Sequence, residues 1–234
     1  MKEIFLAISD FGACMFCPKN NFNGEFVRFC ASEDAKTVAA EIKKCFDFNK
    51  KKLVIAANTK KTLIRIKDRD VNHKFRKKIS NSDAWDVINA AFPIGPSINA
   101  DSYLFDISVF GNKKYACFGL PIEKSEFLAE IGAELTGSLH KVIRIETIEN
   151  LIFNKFCCEN AGSLIVVFPQ DAGYRVLVMQ DGLPENAFYI SDHPIRREDE
   201  FLYILEKSKD RKICELNFMP AKDNTCLEWV TKYK

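Results

Sequence analysis

Two stretches of this chain share one pattern, an apolar strand that leads into a turn and a second strand. The first stretch starts with the predicted strand Glu3–Ile8 and turns at Asp10-Phe11-Gly12-Ala13. The second starts with the strongly apolar strand Leu164–Phe168 and continues into a predicted hairpin over Tyr174–Ile190. Short apolar runs that are bounded by turn residues favour strands over helices. The repeat therefore predicts a core made of two related halves.

The segments around these stretches alternate between strands and helices. Their limits follow from apolar spacing, from helix-capping residues and from the turn signal Gly111-Asn112. The predicted strands are Gly24–Cys30, Leu53–Ala57, Thr62–Ile66, Tyr103–Phe110, Lys113–Leu120, Lys141–Ile145, Asn186–Ser191 and Lys212–Phe218, and the predicted helices are Asp34–Phe46, Ser82–Ala91, Pro121–Leu139, Glu149–Cys157, Glu198–Lys207 and Asp223–Lys232. Because hairpins occur beside helical crossovers, the fold class is predicted to be α/β with a mixed sheet.

Composition and charge exclude several classes of function. The 234 residues suit one large domain or two small ones. With 34 Lys and Arg against 32 Asp and Glu, the net charge of +2 is too small for a strongly electrostatic nucleic-acid binder. No run reaches the ~18 apolar residues of a membrane span, and the first segment, MKEIFLAISD, lacks a signal-peptide core. We therefore expect a soluble, cytoplasmic protein that binds no nucleic acid.

The cysteines and histidines do not form a convincing metal or redox motif. Cys14-x-x-Cys17 has the spacing of half a zinc site or of a redox pair. However, Cys157-Cys158 lacks ligand spacing, and the three histidines at 73, 140 and 193 are isolated. In a chain without an export signal, we interpret the nine cysteines as reduced thiols in the core or in loops, and we expect no metal.

Three other groups of residues stand out. Asp192-His193 follow Ser191, but neighbouring residues of a strand point to opposite faces, so they do not form a catalytic triad by themselves. The basic run Lys74–Lys78 contains one aromatic residue, which favours a solvated surface over a nucleic-acid or lipid site. Phe16 and Phe22 fall in a predicted polar loop and suggest a partner surface.

The order of the predicted elements resembles a known fold. The two strand–turn–strand stretches are similar to the duplicated, ribonuclease H-like core of the actin-like ATPase superfamily. Between them, Leu53–Ala57, Thr62–Ile66, the segment Phe92-Pro93-Ile94 and the helix Ile122–Leu139 resemble the inserted module of the PilM-like type IV pilus assembly proteins. The same architecture occurs in the cytoplasmic domain of GspL-like type II secretion proteins.

This resemblance implies a division of the chain into three segments. Residues 1–50 and 141–234 are expected to form the two halves of an actin-like, mixed-sheet core. Residues 51–140 are expected to form a small inserted α+β module.

The resemblance also points to the positions at which related proteins hold a nucleotide, since turns from both halves bind phosphates through backbone N–H groups. At the first turn this chain keeps Asp10 and Gly12, but Ala13 stands where a hydroxyl is expected. At the second turn the expected Asp and Gly positions fall on Phe168 and Gln170. If a nucleotide binds, Asp10 and Gly12 are the residues expected to contact it.

Further departures argue against a nucleotide enzyme. Cys14 and Cys17 occupy positions where a hydroxyl and a cation are expected, and Met219-Pro220-Ala221 replaces the glycine-rich loop that contacts adenosine. Glycine is also scarce, at 10 of 234 residues against a usual share of ~7%. We therefore expect no cofactor, no catalytic residues and no ATP hydrolysis.

The function that the resemblance implies is that of a non-catalytic scaffold at the inner face of the cell membrane. In that family the partner is a short cytoplasmic segment of an inner-membrane protein, and in some members also an assembly ATPase. Exposed strand edges and apolar clefts suit such a segment. The main alternative is an actin-like ATP-binding switch with divergent phosphate turns, and a weaker one is a basic adaptor that uses Lys74–Lys78. Filaments or dimers of this chain are left open.

Overall fold

The fold consists of three β-sheets with helices between and around them. The computed structural model describes residues 3–16, 24–29, 34–49, 51–68, 81–92, 100–111, 113–157, 162–171, 173–191, 206 and 211–216. Within these residues the strands are β1 (Glu3–Ile8), β2 (Gly12–Phe16), β3 (Gly24–Arg28), β4 (Lys52–Ala57), β5 (Leu63–Asp68), β6 (Tyr103–Phe110), β7 (Lys114–Pro121), β8 (Val142–Thr147), β9 (Leu164–Gln170), β10 (Gly173–Gln180), β11 (Leu183–Ser191) and β12 (Lys212–Glu215). The helices are α1 (Ala35–Cys45), α2 (Asn81–Ala91), α3 (Ile122–Thr136) and α4 (Ile148–Phe156), and short 3-10 turns cover Ala100–Ser102 and Leu139–Lys141.

Two of the sheets repeat one topology. The first has the strand order β3-β2-β1-β4-β8, and the second has the order β11-β10-β9-β12. In each sheet, three consecutive strands form an antiparallel meander, β1-β2-β3 or β9-β10-β11. The first strand of each meander also pairs with a parallel strand, β4 or β12. The predicted core of two related halves is confirmed by this duplication.

The strand β4 lies inside the first sheet, between β1 and β8, and is parallel to both. Residues Leu53–Ala57 are all buried, as expected of a parallel strand that is covered on both faces. The predicted inserted module, 51–140, begins with this strand, but β4 hydrogen-bonds within the first core sheet because its apolar run fills the space beside β1. The domain limits themselves stay a prediction.

The third sheet contains the remaining strands of the predicted module, in the order β5-β7-β6. Both pairings are antiparallel, and β6 and β7 join in the tight hairpin that Gly111-Asn112 predicts. Gly111 adopts φ 58 there, a left-handed conformation that glycine reaches without strain. The helix α2 covers one face of this sheet with Val87 and Ala91, and Phe92, directly after the helix, packs in the same cluster.

The hydrophobic core lies in two main clusters. On one side of the first sheet, α1 and α3 pack through Val38, Ile42, Leu128 and Ile131. A second cluster surrounds α4 and joins all three sheets, since it contains Ala56 of the first sheet, Phe118 of the third, Phe168 of the second and Phe153 of α4 itself. The helix α4 is therefore the element against which the two halves and the smaller sheet assemble.

Helix limits follow from capping groups. The carboxylate of Asp34 accepts the Thr37 N–H at 2.9 Å and begins α1, as the sequence predicts. The predicted helix to Leu139 ends earlier, at Thr136, because Gly137 adopts φ 70 and terminates it as a left-handed cap.

Phe16 is not in a polar loop. It is the last residue of β2, only 5% exposed, and its ring centroid lies 5.9 Å from that of Phe5. Its interpretation as a partner surface is therefore wrong. Phe22 and the predicted helix Asp223–Lys232 lie outside the described residues, as does nearly all of the predicted helix Glu198–Lys207.

Candidate functional site

The turns that follow β1 and β9 meet where the two duplicated sheets adjoin. Asp10 lies in the first turn, and Asp171 lies in the second with φ 49, a left-handed conformation that Asp adopts more readily than most residues. Burial raises the pKa of Asp171, and the charge of Asp10 raises it further, whereas Lys60 and Lys124 lower it. The carboxylates of the two halves therefore lie in one site, which we call the turn junction: Asp10, Lys60, Lys124 and Asp171.

Lys124 is the counter-ion of Asp10. It lies in the first turn of α3, and its Nζ is 2.6 Å from Asp10 Oδ1. The lysine side chain is only 14% exposed, and its ammonium is also 5.4 Å from the centroid of the Phe127 ring. The Asp10 side chain is 38% exposed, so the pair is partly buried and solvent screens it less than a fully exposed ion pair. The charge of Asp10 is thus balanced from within the chain.

Asp171 is held by backbone from the first half. Its Oδ2 accepts the N–H of Lys60 at 2.8 Å, and Lys60 lies in the turn between β4 and β5. The second oxygen, Oδ1, is buried and has no hydrogen-bond partner among the described residues. The Lys60–Asp171 hydrogen bond is one of the polar contacts that join the two halves directly.

Behind the turn junction lies a set of buried polar side chains, here called the buried network: Asn58, Glu149, Gln170 and Arg175. Asn58 Nδ2 donates to the Pro169 carbonyl at 3.1 Å, and Gln170 Nε2 donates to Asn58 Oδ1 at 3.1 Å and to Glu149 Oε1 at 3.0 Å. Arg175 Nε donates to Gln170 Oε1 at 2.8 Å and lies 3.0 Å from Glu149 Oε1. Asn58 directly follows β4, and the other three members lie in α4, β9 and β10, so the network joins these four elements.

The charges of the buried network compensate each other. Glu149 is fully buried and Arg175 is 5% exposed. Burial raises the pKa of Glu149, whereas the guanidinium of Arg175 and the amide of Gln170 favour the ionised carboxylate. The network therefore supplies both charges of an ion pair at the place where the two halves meet.

The acidic position of the second turn lies three residues later than the sequence predicts, at 171 and not at 168. The sequence predicts Phe168 at the carboxylate position of that turn, but Phe168 lies within β9 and is fully buried in the core. Gln170 is the last residue of β9 and belongs to the buried network. The acid of the second turn is Asp171, and the signal that identifies it is the repeat of Asp10-Phe11-Gly12 as Asp171-Ala172-Gly173.

The glycines of both turns are required by sheet packing. A Cβ on Gly12 would lie 2.6 Å from the Val27 carbonyl oxygen, and a Cβ on Gly173 would lie 2.2 Å from the Ile190 carbonyl oxygen. Both distances are shorter than any allowed contact, and the atoms they meet are backbone of the adjacent strand. Gly12 is thus explained by the approach of β3, and Gly173 by the approach of β11, without a phosphate.

At the turn junction both carboxylates are bonded to groups of the chain itself. In the part of the chain that the structure describes, no group of three or more His, Cys, Asp and Glu residues is placed to hold a metal ion. A divalent cation beside Asp10 would also lie against the ammonium of Lys124, whose like charge opposes it. Phe11, which is 49% exposed, adds an apolar ring at the first turn.

The remaining predicted site residues are not gathered at the turn junction. Cys14 is fully buried in β2, and burial raises the pKa of its thiol to about 12, so it is protonated at neutral pH. His140 is exposed in a 3-10 turn. Outside the described residues lie Cys17, Cys158, His73, Lys74–Lys78, Asp192-His193 and Met219-Pro220-Ala221.

The duplicated sheets, their parallel fourth strands and the two facing turns define the class: the chain has the fold of the actin-like ATPases, as the sequence predicts. No protein-family model matches the chain, and no curated protein matches it.

Solved structures give three comparisons. A protein of unknown function from Bacteroides thetaiotaomicron, with an actin-like ATPase fold, superimposes with a TM-score of 0.55 at 12% identity, over 99% of this chain and 87% of that one. The cytoplasmic domain of EpsL, an inner-membrane component of the type II secretion system of Vibrio cholerae, gives a TM-score of 0.55 at 7% identity, over 95% and 84%. A chain of the PilM–PilN type IV pilus biogenesis complex gives 0.54 at 11% identity, over 99% and 69%.

At these identities the similarity describes the fold. Among the described residues, no helix is both long and apolar enough to cross a bilayer.

Proposed function

We propose that this protein is a non-catalytic scaffold with an actin-like fold, which binds a short cytoplasmic segment of an inner-membrane protein in an assembly of the type IV pilus or type II secretion kind. It would act at the inner face of the cell membrane, with an assembly ATPase as a further partner. Two structural neighbours support this proposal. EpsL is an inner-membrane component of a secretion system, and PilM occurs in a complex with PilN.

The observation that best supports a non-catalytic role is the compensation of charge at the turn junction. Asp10 pairs with Lys124, and Asp171 accepts the backbone N–H of Lys60. Directly behind them, Arg175 and Glu149 form a buried ion pair. An enzyme that binds a metal nucleotide needs carboxylates directed at the cation and donors directed at the phosphates. At the turn junction the carboxylates of Asp10 and Asp171 are instead bonded to donors of the chain itself, the Lys124 ammonium and the Lys60 N–H.

Thermal unfolding with and without Mg-ATP tests the absence of nucleotide binding. A ligand at ~100 times its dissociation constant adds ~2.7 kcal/mol of stability, which raises the midpoint of a domain of this size by several degrees. We expect no rise. A rise that disappears in Asp10→Ala would contradict the proposal, and a rise that persists in Asp10→Ala would place the ligand away from the turn junction.

Peptide binding tests the scaffold role itself. The probes are fluorescent synthetic peptides that represent the cytoplasmic segments next to the membrane spans of inner-membrane proteins from the source organism. We expect a small subset to bind the purified protein and to raise its unfolding midpoint. If no segment binds, the scaffold proposal is wrong.

An ATP-binding switch remains the second candidate, and the position of Asp171 favours it. Asp171 follows the end of β9, so a carboxylate is present in the second turn, where the sequence predicts Phe168. Binding would require Lys124 to leave Asp10. The same Mg-ATP experiment separates the two functions, because only the switch predicts a rise that depends on Asp10.

A further inference from the structure

The edge of the third sheet formed by β6 differs from the other sheet edges in the described residues. Protein sheets protect their outer strands with Lys, Pro, charged side chains or β-bulges, because an unprotected edge pairs with other chains. The protecting residues of the other outer strands are Glu25 and Arg28 on β3, Arg65 and Lys67 on β5, Arg144 with a bulge at Ile143 on β8, Pro184 with a bulge at Glu185 on β11, and Lys212 on β12.

The strand β6 has no basic residue, proline or bulge, and its one charged side chain is Asp106. Its eight residues, Tyr103–Phe110, pair with β7 without any shift of register and contain no Lys, Arg or Pro. Leu104 is 52% exposed on this strand. A regular strand of this length offers a long row of backbone donors and acceptors to an added strand.

The backbone N–H of Ile107 has a hydrogen-bond acceptor within β6 itself. Its N–H donates to Asp106 Oδ1 at 2.8 Å, which is a side-chain substitute for the bond that an added strand would make. Asp106 Oδ2 accepts a second hydrogen bond, from Asn150 Nδ2 at 3.0 Å. The bond from Asn150 would keep the Asp106 carboxylate on β6 if the Ile107 N–H donated to an added strand.

Asp106 is the single charged residue of β6, so an added strand meets a negative edge. Opposite charges across neighbouring strands are favourable and like charges are unfavourable. Cytoplasmic segments next to a membrane span carry an excess of Lys and Arg. The charge of β6 therefore matches this class of segment, and it disfavours a second copy of this chain, which would bring another Asp106 to the same edge.

We infer that β6 is the docking edge for an extended, Lys- or Arg-rich segment of the membrane partner, which adds to the third sheet as a further strand. This inference rests on the proposed scaffold function. Side chains alternate along a strand, so Leu104 and Asp106 share one face of the sheet. A basic residue of the bound segment on that face would lie within reach of Asp106, and an apolar one would cover Leu104.

The test uses model peptides whose chemistry is known. A fluorescein-labelled octapeptide of alternating lysine and valine is titrated with the full chain, and anisotropy is measured. The controls are the same peptide with alternate backbone nitrogens methylated, which removes the donors of one edge, and an octapeptide of alternating glutamate and valine. We expect the lysine peptide to bind more tightly than both, with an affinity that falls as salt is raised.

Three variants locate the binding site. Leu104→Lys places a positive charge on the β6 edge and should weaken binding of the lysine peptide about fivefold or more, whereas Leu104→Glu should not weaken it. The matched control is Ile143→Lys, because Ile143 is 46% exposed on another outer strand, β8. Each substitution is at an exposed side chain, so all three variants should fold.

The outcomes separate the possibilities. The inference is wrong if the methylated peptide binds as well as the unmodified one, if Ile143→Lys and Leu104→Lys weaken binding equally, or if the lysine peptide does not bind. It is also wrong if β6 pairs two copies of the chain, which would appear as a dimer that Leu104→Lys dissociates. If the membrane-protein segments bind wild type and Leu104→Lys equally, the scaffold function stands and only the β6 site is refuted.

Discussion

The guanidinium of Arg175 and the carboxylate of Glu149 form a 3.0 Å ion pair in which the side chains are 6% and 0% exposed. They come from different elements, since Arg175 lies in β10 of the second sheet and Glu149 in α4. Gln170 bonds to both of them, donating to Glu149 and accepting from Arg175. The relative position of α4 and the second sheet is therefore specified by polar contacts as well as by the hydrophobic core.

Removing one partner of this pair should be strongly destabilising. Arg175→Met would leave Glu149 buried without a counter-ion, and breaking a buried pair in this way costs about 3–5 kcal/mol. The double variant Arg175→Met, Glu149→Gln should lose less than Arg175→Met alone, because the uncompensated charge is removed. Urea unfolding measures both.

The control for this series is Lys44→Met. Lys44 pairs with Glu41 on the surface of α1, where both side chains are well exposed. Its loss should cost less than about 1 kcal/mol. If the double variant is less stable than Arg175→Met, the two charges do not compensate each other.

The two turn glycines give a second prediction. Gly12→Ala and Gly173→Ala each direct a Cβ at a carbonyl oxygen of the adjacent strand, at 2.6 Å and 2.2 Å before any relaxation. Since backbone must move, each should lower the free energy of unfolding by about 1–3 kcal/mol. Gly162→Ala is the matched control, because no atom of the described residues lies within 4 Å of its Cβ position, and it should change stability by about 0.5 kcal/mol or less. Equal stability of all three variants would contradict a packing role for Gly12 and Gly173.

Local features of the fold were predictable from sequence. Asp34 caps α1 and Gly111 makes the β6–β7 hairpin, because each depends on residues within one turn of the chain. The duplicated strand pattern also led to the correct fold. The ends of strands were harder to predict. The apolar run of β9 ends at Phe168, but the strand continues through Pro169 to Gln170, so the sequence places the second turn before Asp171.

The contacts of the candidate site were not predictable in the same way. The tertiary fold brings together the partners of the two ion pairs, Lys124 with Asp10 and Arg175 with Glu149. The partners of each pair lie far apart in the sequence, and the two pairs differ in their separation, so no spacing rule identifies them. A pattern analysis could find Asp171 from the repeated Asp-x-Gly segment. It could not find Lys124, because one lysine in a helix with several charged residues has no distinguishing local signal.

Thiol reactivity gives a third prediction, which concerns the interpretation of the cysteines. Cys45 is exposed, whereas Cys14 and Cys117 are fully buried, and burial raises the pKa of each of these two thiols to about 12. The thiolate is the reactive form, so Cys45 should be alkylated by iodoacetamide much faster than the other two. Mass spectrometry of tryptic peptides at successive times measures the order. Modification of Cys14 as fast as that of Cys45 in folded protein would show that Cys14 is accessible and would reopen a metal or redox role for it.

The last prediction concerns Glu146, a carboxylate at the contact between the third sheet and the core. It is 4% exposed, Arg144 Nε lies 2.6 Å from its Oε1, and Asn150 Nδ2 donates to its Oε2 at 3.1 Å. The same amide also donates to Asp106 of β6. Burial raises the pKa of Glu146 to about 7, with Asp106 raising it and Arg144 lowering it.

The sign of the pH effect follows from this shift. The unfolded chain has a Glu pKa near 4.5 and the folded chain one of about 7, so the folded state binds more protons between these values. The contribution of Glu146 to stability is therefore fully present below pH 4.5 and is lost as the pH rises through 7. The full difference is at most about 3.5 kcal/mol. Glu146→Gln should be less sensitive to pH over this range than wild type, and relatively more stable at pH 8 than at pH 5. Urea unfolding at several pH values measures this difference, with Glu134→Gln, at an exposed position of α3, as the control that should follow wild type. If Glu146→Gln and wild type change in parallel between pH 5 and pH 8, Glu146 does not titrate in the folded protein in this range.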